Sequence, residues 1–337
     1  MSTTRSFLSV ESIVNSVLKQ RLTCESIVKE QVARIENHNP KLNAFVDVYR
    51  DEAIAHAQAL DRMAQAGVQA GPLHGATVAI KDLLDIAGRP LGAGSIATPP
   101  RMSTVTATVV TRLRAAGAVV IGKTQTVEYA FGGWGTNAVM GTPWNPWDSA
   151  THRVPGGSSS GSAVAVSAGL AACAIGTDTG GSIRIPAGLC GTVGLKTTRG
   201  LVSRYGVVEL CPSHDTVGPI TRTVRDAAIL LDVIAGPDPA DAETLGAPSR
   251  CVFEGIERSV EGMRMWILPD EERHDVEKDV LDSYDKAVKL LVGLGVTKVE
   301  RPLPQSLSES MRIAGALMSA EGYANMGQLF EQDLHFD

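Results

Sequence analysis

Residues 156–187 read GGSSSGSAVAVSAGLAACAIGTDTGGSIRIPA, with six serines and seven glycines but only two charges, Asp178 and Arg184. A flexible linker would place polar residues between its glycines. Here the intervening residues are Ala, Val, Leu, Ile and Cys, so the segment is expected to be packed inside the protein. Glycine allows close backbone approach and serine supplies hydroxyls, the combination that a nucleophile beside an oxyanion pocket requires.

Outward from this stretch, short apolar runs at 76–80, 118–121 and 172–175 alternate with helical patterns near 107–116 and 162–170. Such alternation predicts an α/β sheet covered by helices. Two amphipathic helices are expected earlier, over 10–20 after Ser9 and over 24–38 after Thr23, each opening on an N-cap residue and forming an outer layer. A helix over 224–235 is capped by Thr223 and stopped by Gly236-Pro237, and 238–248 reads as a surface excursion. Beyond it come a strand near 263–268, an amphipathic helix near 276–292, and a last helix after Ser306 with Glu309 completing a capping box.

The 337 residues are 44% hydrophobic and 20% charged, ordinary for a soluble globular protein, with a net charge of −6 and no basic block. Direct nucleic-acid binding is therefore not expected. The five cysteines form no CxxC pair and read as reduced, mostly buried residues, which favours a cytoplasmic location. The N-terminus lacks the apolar core of a signal peptide, and no apolar run approaches the roughly 20 residues of a membrane span.

Three short patterns are decoys. Gly117 to Thr124 matches the phosphate-loop pattern GxxxxGK[ST], but its four intervening residues are themselves a strand, leaving Lys123 as a strand-end residue. Gly157-Ser-Ser159-Ser-Gly161 matches the GxSxG elbow, yet 151–156 is not the apolar strand that the elbow needs. Ser16-Val-Leu-Lys19 fits SxxK but lies on an amphipathic helix, where Lys19 is a solvated charge.

Lys81, Ser182 and one serine of the 158–160 run make a chemically sensible set. Lys81 ends the run Val78-Ala79-Ile80, where desolvation lowers a lysine pKa toward that of a useful base. Ser182 follows Thr179-Gly180-Gly181, whose N–H groups can point inward without obstruction, so it is the expected nucleophile. The remaining serine would relay the proton between them, and spacing alone does not choose among Ser158, Ser159 and Ser160.

At these residues the chain resembles the amidase signature family. The likeness runs from Gly71 (GPLHGATVAIKD) through Gly122-Lys123-Thr124, Asn145-Pro146-Trp147 and PGGSSSGSA to CGTVGLKTTRG and DTVGPITRTVRDAA, ending near Pro239. The resemblance implies a mixed β-sheet core covered by helices on both faces. It also implies a Ser–cis-Ser–Lys set of Ser182 as nucleophile, Ser158 as bridging serine on a cis peptide, and Lys81 as base. The 24-position separation of Ser158 and Ser182 fits the family's spacing and selects Ser158. The oxyanion hole is implied at the N–H groups of Thr179, Gly180, Gly181 and Ser182. Ser160 stands where many members have glycine, and an added hydrogen bond is expected there. Family members are commonly longer, so the C-terminal part is expected to be shortened. The whole chain, 1–337, is read as a single domain, with a helical layer over 1–70, a catalytic core over 71–239 and a partial C-terminal portion over 240–337.

Other polar residues have simpler readings. Asp178 and Arg184 are expected to pair and brace the loop, and Ser159 and Ser162 to cap the following helix. Asp215, beside His214, is expected to brace a turn. The cluster Asp270-Glu-Glu-Arg-His274-Asp275 lacks metal-ligand spacing, so no metal is expected. Tyr129, Phe131, Trp134 and Trp144 either line a pocket or pack beneath it. The chain thus reads as a metal-independent serine amidase acting on a small-molecule amide without a cofactor, with a homodimer as the family-based guess. The alternatives are the glutaminase subunit of a tRNA-dependent amidotransferase, or an inactive member serving as a binding subunit.

Overall fold

Every residue of Thr77–Lys81, Val119–Thr124, Cys173–Asp178 and Thr216–Thr221 is buried. Apolar runs without polar alternation suit strands covered on both faces. In the computed structural model, which describes residues 7–97, 99–248 and 251–332, these runs form the centre of a six-stranded sheet. The chain divides into two compact units, Met1–Phe253 with Glu321–Asp337, and Glu254–Ala320.

The strands of the first unit are β1 (Phe45–Val48), β2 (Thr77–Lys81), β3 (Pro90–Leu91), β4 (Arg101–Met102), β5 (Val119–Thr124), β6 (Cys173–Asp178), β7 (Val193–Gly194) and β8 (Thr216–Thr221). The sheet order is β1-β5-β2-β6-β8-β7. β2 runs parallel to both neighbours, whereas β1, β8 and β7 pair antiparallel, so the sheet is mixed. β3 and β4 form a separate antiparallel ribbon. The expected α/β fold is present.

The helices of this unit are α1 (Val10–Leu18), α2 (Cys24–Leu42), α3 (Arg50–Gln65), α4 (Thr108–Ala115), α5 (Ser160–Ser167), α6 (Arg184–Cys190) and α7 (Val224–Ile234). The expected caps form: Ser9 accepts the Ser12 N–H at 3.1 Å, Thr23 that of Ser26 at 3.0 Å, and Thr223 that of Asp226 at 3.1 Å. α3, α6 and strands β1, β3, β4, β7 and β8 have no counterpart in the sequence reading. β1 is a four-residue edge strand, and α6 carries Pro186 in its first turn, where the missing N–H has no intrahelical partner to lose. Residues 238–248 lie mostly at the surface, as expected, but the excursion is anchored. Asp238 is buried and accepts the hydroxyls of Ser203 at 2.5 Å and Thr108 at 2.6 Å, which tie the segment down.

α5 packs against β2, β5, β6 and β8. It lies close to the sheet because Gly161 has no side chain: a Cβ there would meet the Ala44 carbonyl oxygen at 2.3 Å and the Gln125 nitrogen at 2.5 Å.

The second unit, taken by itself, is a βαβ arrangement in which β9 (Arg264–Trp266) pairs in parallel with β10 (Thr297–Val299) and α8 (Lys278–Gly293) connects them. α9 (Leu307–Phe330) also begins here. Its capping box is only half formed. Ser306 accepts the Glu309 N–H at 3.2 Å, but the Glu309 carboxylate turns to Arg312 at 2.7 Å. Among the described residues no helix is long and apolar enough to cross a membrane.

Candidate active site

Lys81 is the last residue of β2 and is completely buried. Its ammonium donates to the Ser158 hydroxyl at 2.7 Å and to the Thr177 hydroxyl at 2.8 Å. Neither partner is charged. Burial pushes Lys81 down to about 7, against the Asp178 and Asp215 carboxylates, which favour its charged form. Near neutral pH, therefore, a large fraction of Lys81 is an amine able to accept a proton.

Ser158 is equally buried, and the peptide bond between Gly157 and Ser158 is cis, as the resemblance implied. The chain before it is held by neighbouring backbone: Gly156 donates to the Trp134 carbonyl at 3.0 Å and Gly157 to that of Gly133 at 2.8 Å. The Ser158 carbonyl accepts the Val127 N–H at 3.1 Å and the Thr126 hydroxyl at 2.9 Å. Gly157 cannot be larger, because a Cβ would lie 2.7 Å from Gly135 Cα.

The neighbouring serines differ from expectation. The Ser159 hydroxyl bonds the Thr177 carbonyl at 3.2 Å and that of Ser162 the Ile175 carbonyl at 3.2 Å, so both fasten α5 to β6 instead of capping the helix. Strand carbonyls take both hydroxyls, and α5 has no side-chain cap. The buried Ser160 hydroxyl has no hydrogen-bond partner among the described residues, contrary to the bond expected of it.

β6 ends at Asp178 and the chain turns through Thr179-Gly180-Gly181-Ser182 into α6. Gly181 has φ +130°, a conformation that L side chains rarely adopt. Asp178 organises the turn as expected. Its carboxylate accepts the Gly181 N–H at 2.8 Å and the Ile183 N–H at 3.2 Å, and takes the Arg184 guanidinium bidentately at 2.9 Å. Burial alone would raise this carboxyl, but Arg184 and the backbone donors hold it below its ordinary value. Because the Gly181 N–H is engaged by Asp178, the N–H groups without a partner among the described residues are those of Thr179, Gly180 and Ser182.

Ser182 is only 7% exposed and is joined to the Ser158 loop through backbone, its carbonyl accepting the Ser159 N–H at 3.1 Å. The structure thus brings Lys81 and Ser158 into direct contact and the Ser182 turn against the next residue. Among the described residues no hydrogen bond joins the hydroxyls of Ser158 and Ser182.

Two contributors were missed in the sequence. Thr177 is the second acceptor for Lys81; it follows Gly176 at the polar end of an apolar strand, the one signal available. Asp215 braces the turn at 211–215 as expected, but it also accepts the Thr179 hydroxyl at 2.5 Å. Of the decoys, Lys123 lies on β5 and forms a buried ion pair with Asp82 at 2.7 Å. It is a core residue as well as a strand-end one. Residues 151–156 form no strand, and Lys19 is an exposed C-cap of α1. The aromatics divide: Phe131 and Trp134 are exposed, whereas Trp144 stacks on His152 and takes Lys41 over its ring.

The amidase family model matches residues 26–336. The chain is 41% identical over 298 residues to a glutamyl-tRNA(Gln) amidotransferase subunit from Streptomyces coelicolor, covering 88% of this chain and 60% of that protein. It therefore spans about 60% of the length of such curated relatives. Among solved structures, the native peptide amidase from Stenotrophomonas maltophilia superposes with a TM-score of 0.84 at 35% identity, over 98% of this chain and 68% of that one. A bacterial aryl acylamidase of the amidase signature family superposes with a TM-score of 0.86 at 29% identity, over 97% and 68% of the respective chains.

Proposed function

The chain belongs to the amidase signature family, and on that premise we propose that it is a serine amidase hydrolysing the C–N bond of a carboxylic amide. The observation that carries this reading is the completely buried Lys81, its pKa brought down to about 7, 2.7 Å from Ser158. In the proposed cycle Ser182 Oγ attacks the amide carbonyl carbon. The Ser182 proton passes to Ser158 while the Ser158 proton passes to the Lys81 amine. Negative charge on the carbonyl oxygen is met by the free N–H groups of Thr179, Gly180 and Ser182, with Gly181 bending the turn. The proton then returns to the leaving nitrogen, ammonia or an amine departs, and water cleaves the acyl-enzyme to the acid. The proposed steps need no cofactor.

A second reading follows from the 41% identity to the Streptomyces amidotransferase protein: the same residues would release ammonia from glutamine within a complex. Glutaminase assays with and without the partner subunits separate the two. The cytoplasmic location proposed with either reading is supported by the five cysteines, all of which are free thiols.

The test needs no known substrate. Exposure to a small fluorophosphonate followed by peptide mapping is expected to give one adduct, on Ser182. An adduct on Ser159 supports the GxSxG reading in its place, and a folded chain without any adduct points to the inactive binding role.

A further inference from the structure

Asp215, only 8% exposed, sits immediately before β8, which begins at Thr216. Oδ2 of its carboxylate accepts the N–H groups of Leu210 at 2.9 Å and Cys211 at 3.0 Å. Its own N–H, and that of His214, return to the Cys211 carbonyl at 2.8 Å. The carboxylate is therefore fixed from both sides before it meets anything else. Its second oxygen, Oδ1, takes the Thr179 hydroxyl at 2.5 Å.

That contact lands at a particular place. Thr179 opens the turn whose far end, Gly181 to Arg184, is held by Asp178. Among the described residues no other side-chain bond reaches Thr179 itself. The next residue after Asp215, Thr216, donates its hydroxyl to the Asp178 carbonyl at 2.8 Å, so the start of β8 grips both residues that lead into the turn. The two N–H groups between the carboxylates, those of Thr179 and Gly180, are left unengaged among the described residues.

We infer that, on the amidase reading proposed above, Asp215 is a positioning residue: through the Thr179 hydroxyl it aims the Thr179 and Gly180 N–H groups at the scissile carbonyl oxygen. Ser158 and Thr177 are neutral hydroxyls, and the carboxylates that act on Lys81 are Asp178 and Asp215. Replacing Asp215 by a neutral residue removes a force that favours the protonated lysine, so the amine persists to lower pH.

The test measures the rate of fluorophosphonate adduct formation at Ser182 against pH in the native chain and in Asp215→Asn and Thr179→Val. Failure of the native chain to form the Ser182 adduct sinks the amidase reading itself. With that adduct in hand, Thr179→Val is expected to slow the alkaline plateau about 10-fold or more while leaving the acid limb in place. Asp215→Asn is expected to slow the plateau and to move the acid limb to lower pH. A general loss of packing would instead reduce the amount of chain that reacts, without displacing the limb. Plateau rates equal to native in both folded variants overturn the inference; if Asp215→Asn does not fold, Thr179→Val, which removes only the hydroxyl contact, decides it.

Discussion

Lys81 Nζ lies 2.7 Å from the Ser158 hydroxyl across 77 positions of sequence, and neither residue has any exposure to water. Because the lysine pKa falls to about 7, kcat/KM for a reactive amide is expected to rise with pH through that region and level off above it. A profile that stays flat from about pH 5 to 9, with chemistry limiting, excludes Lys81 as a titrating base.

The same group leaves a mark on stability. A lysine lowered in the folded state binds its proton more readily when unfolded, so stability rises with pH from about 7 toward the ordinary lysine range and the full penalty applies below about 7. Melting temperatures of the native chain and Lys81→Met, measured over that interval, should reveal the difference. The native value should climb relative to the variant as pH rises; a constant gap between the two curves contradicts the burial argument.

Asp178→Ala removes the carboxylate that holds Gly181, Ile183 and Arg184. Its loss is expected to cost on the order of 3 kcal/mol, from unsatisfied buried donors more than from the ion pair, since Arg184 is half exposed. Chemical denaturation measures this directly. A cost under about 0.5 kcal/mol would show that the turn stands without Asp178.

Gly161→Ala tests whether that glycine serves packing or a nucleophile elbow. The added methyl would fall 2.3 Å from the Ala44 carbonyl oxygen, so overpacking of about 1–3 kcal/mol is expected. An unchanged midpoint in urea would mean that α5 can lift off the sheet at no cost.

The local elements of this protein were largely legible in its sequence. Ser9, Thr23 and Thr223 announce their helices because a cap is a contact over three residues, and the runs within 76–80, 118–121 and 172–175 declare buried strands by lacking alternation. Lys81 could be picked out because a charge ending an apolar strand is costly unless used. Apart from the meeting of Lys81 with Ser158, which residue chemistry and the family resemblance together supplied, contacts between distant segments were not legible. Asp215 and Thr179 are 36 positions apart, and only the antiparallel pairing of β6 with β8 sets their side chains together. Ser159 and Ser162 illustrate the same limit: at a helix start they read as caps, but their hydroxyls bond the carbonyls of β6. β1 is too short to stand out, and exists because β5 offers it an edge.

β2 and β6 are the two innermost strands of the six, lying side by side, one ending in Lys81 and the other leading into the turn that carries Ser182. Amide protons on such strands exchange with solvent only when the whole sheet opens. On the proposed mechanism the reacting groups are anchored to strands expected to exchange most slowly, rather than to a lid that can fray. Heat should therefore not yield a folded but inert population: inactivation and the release of those amide protons would proceed at one shared rate.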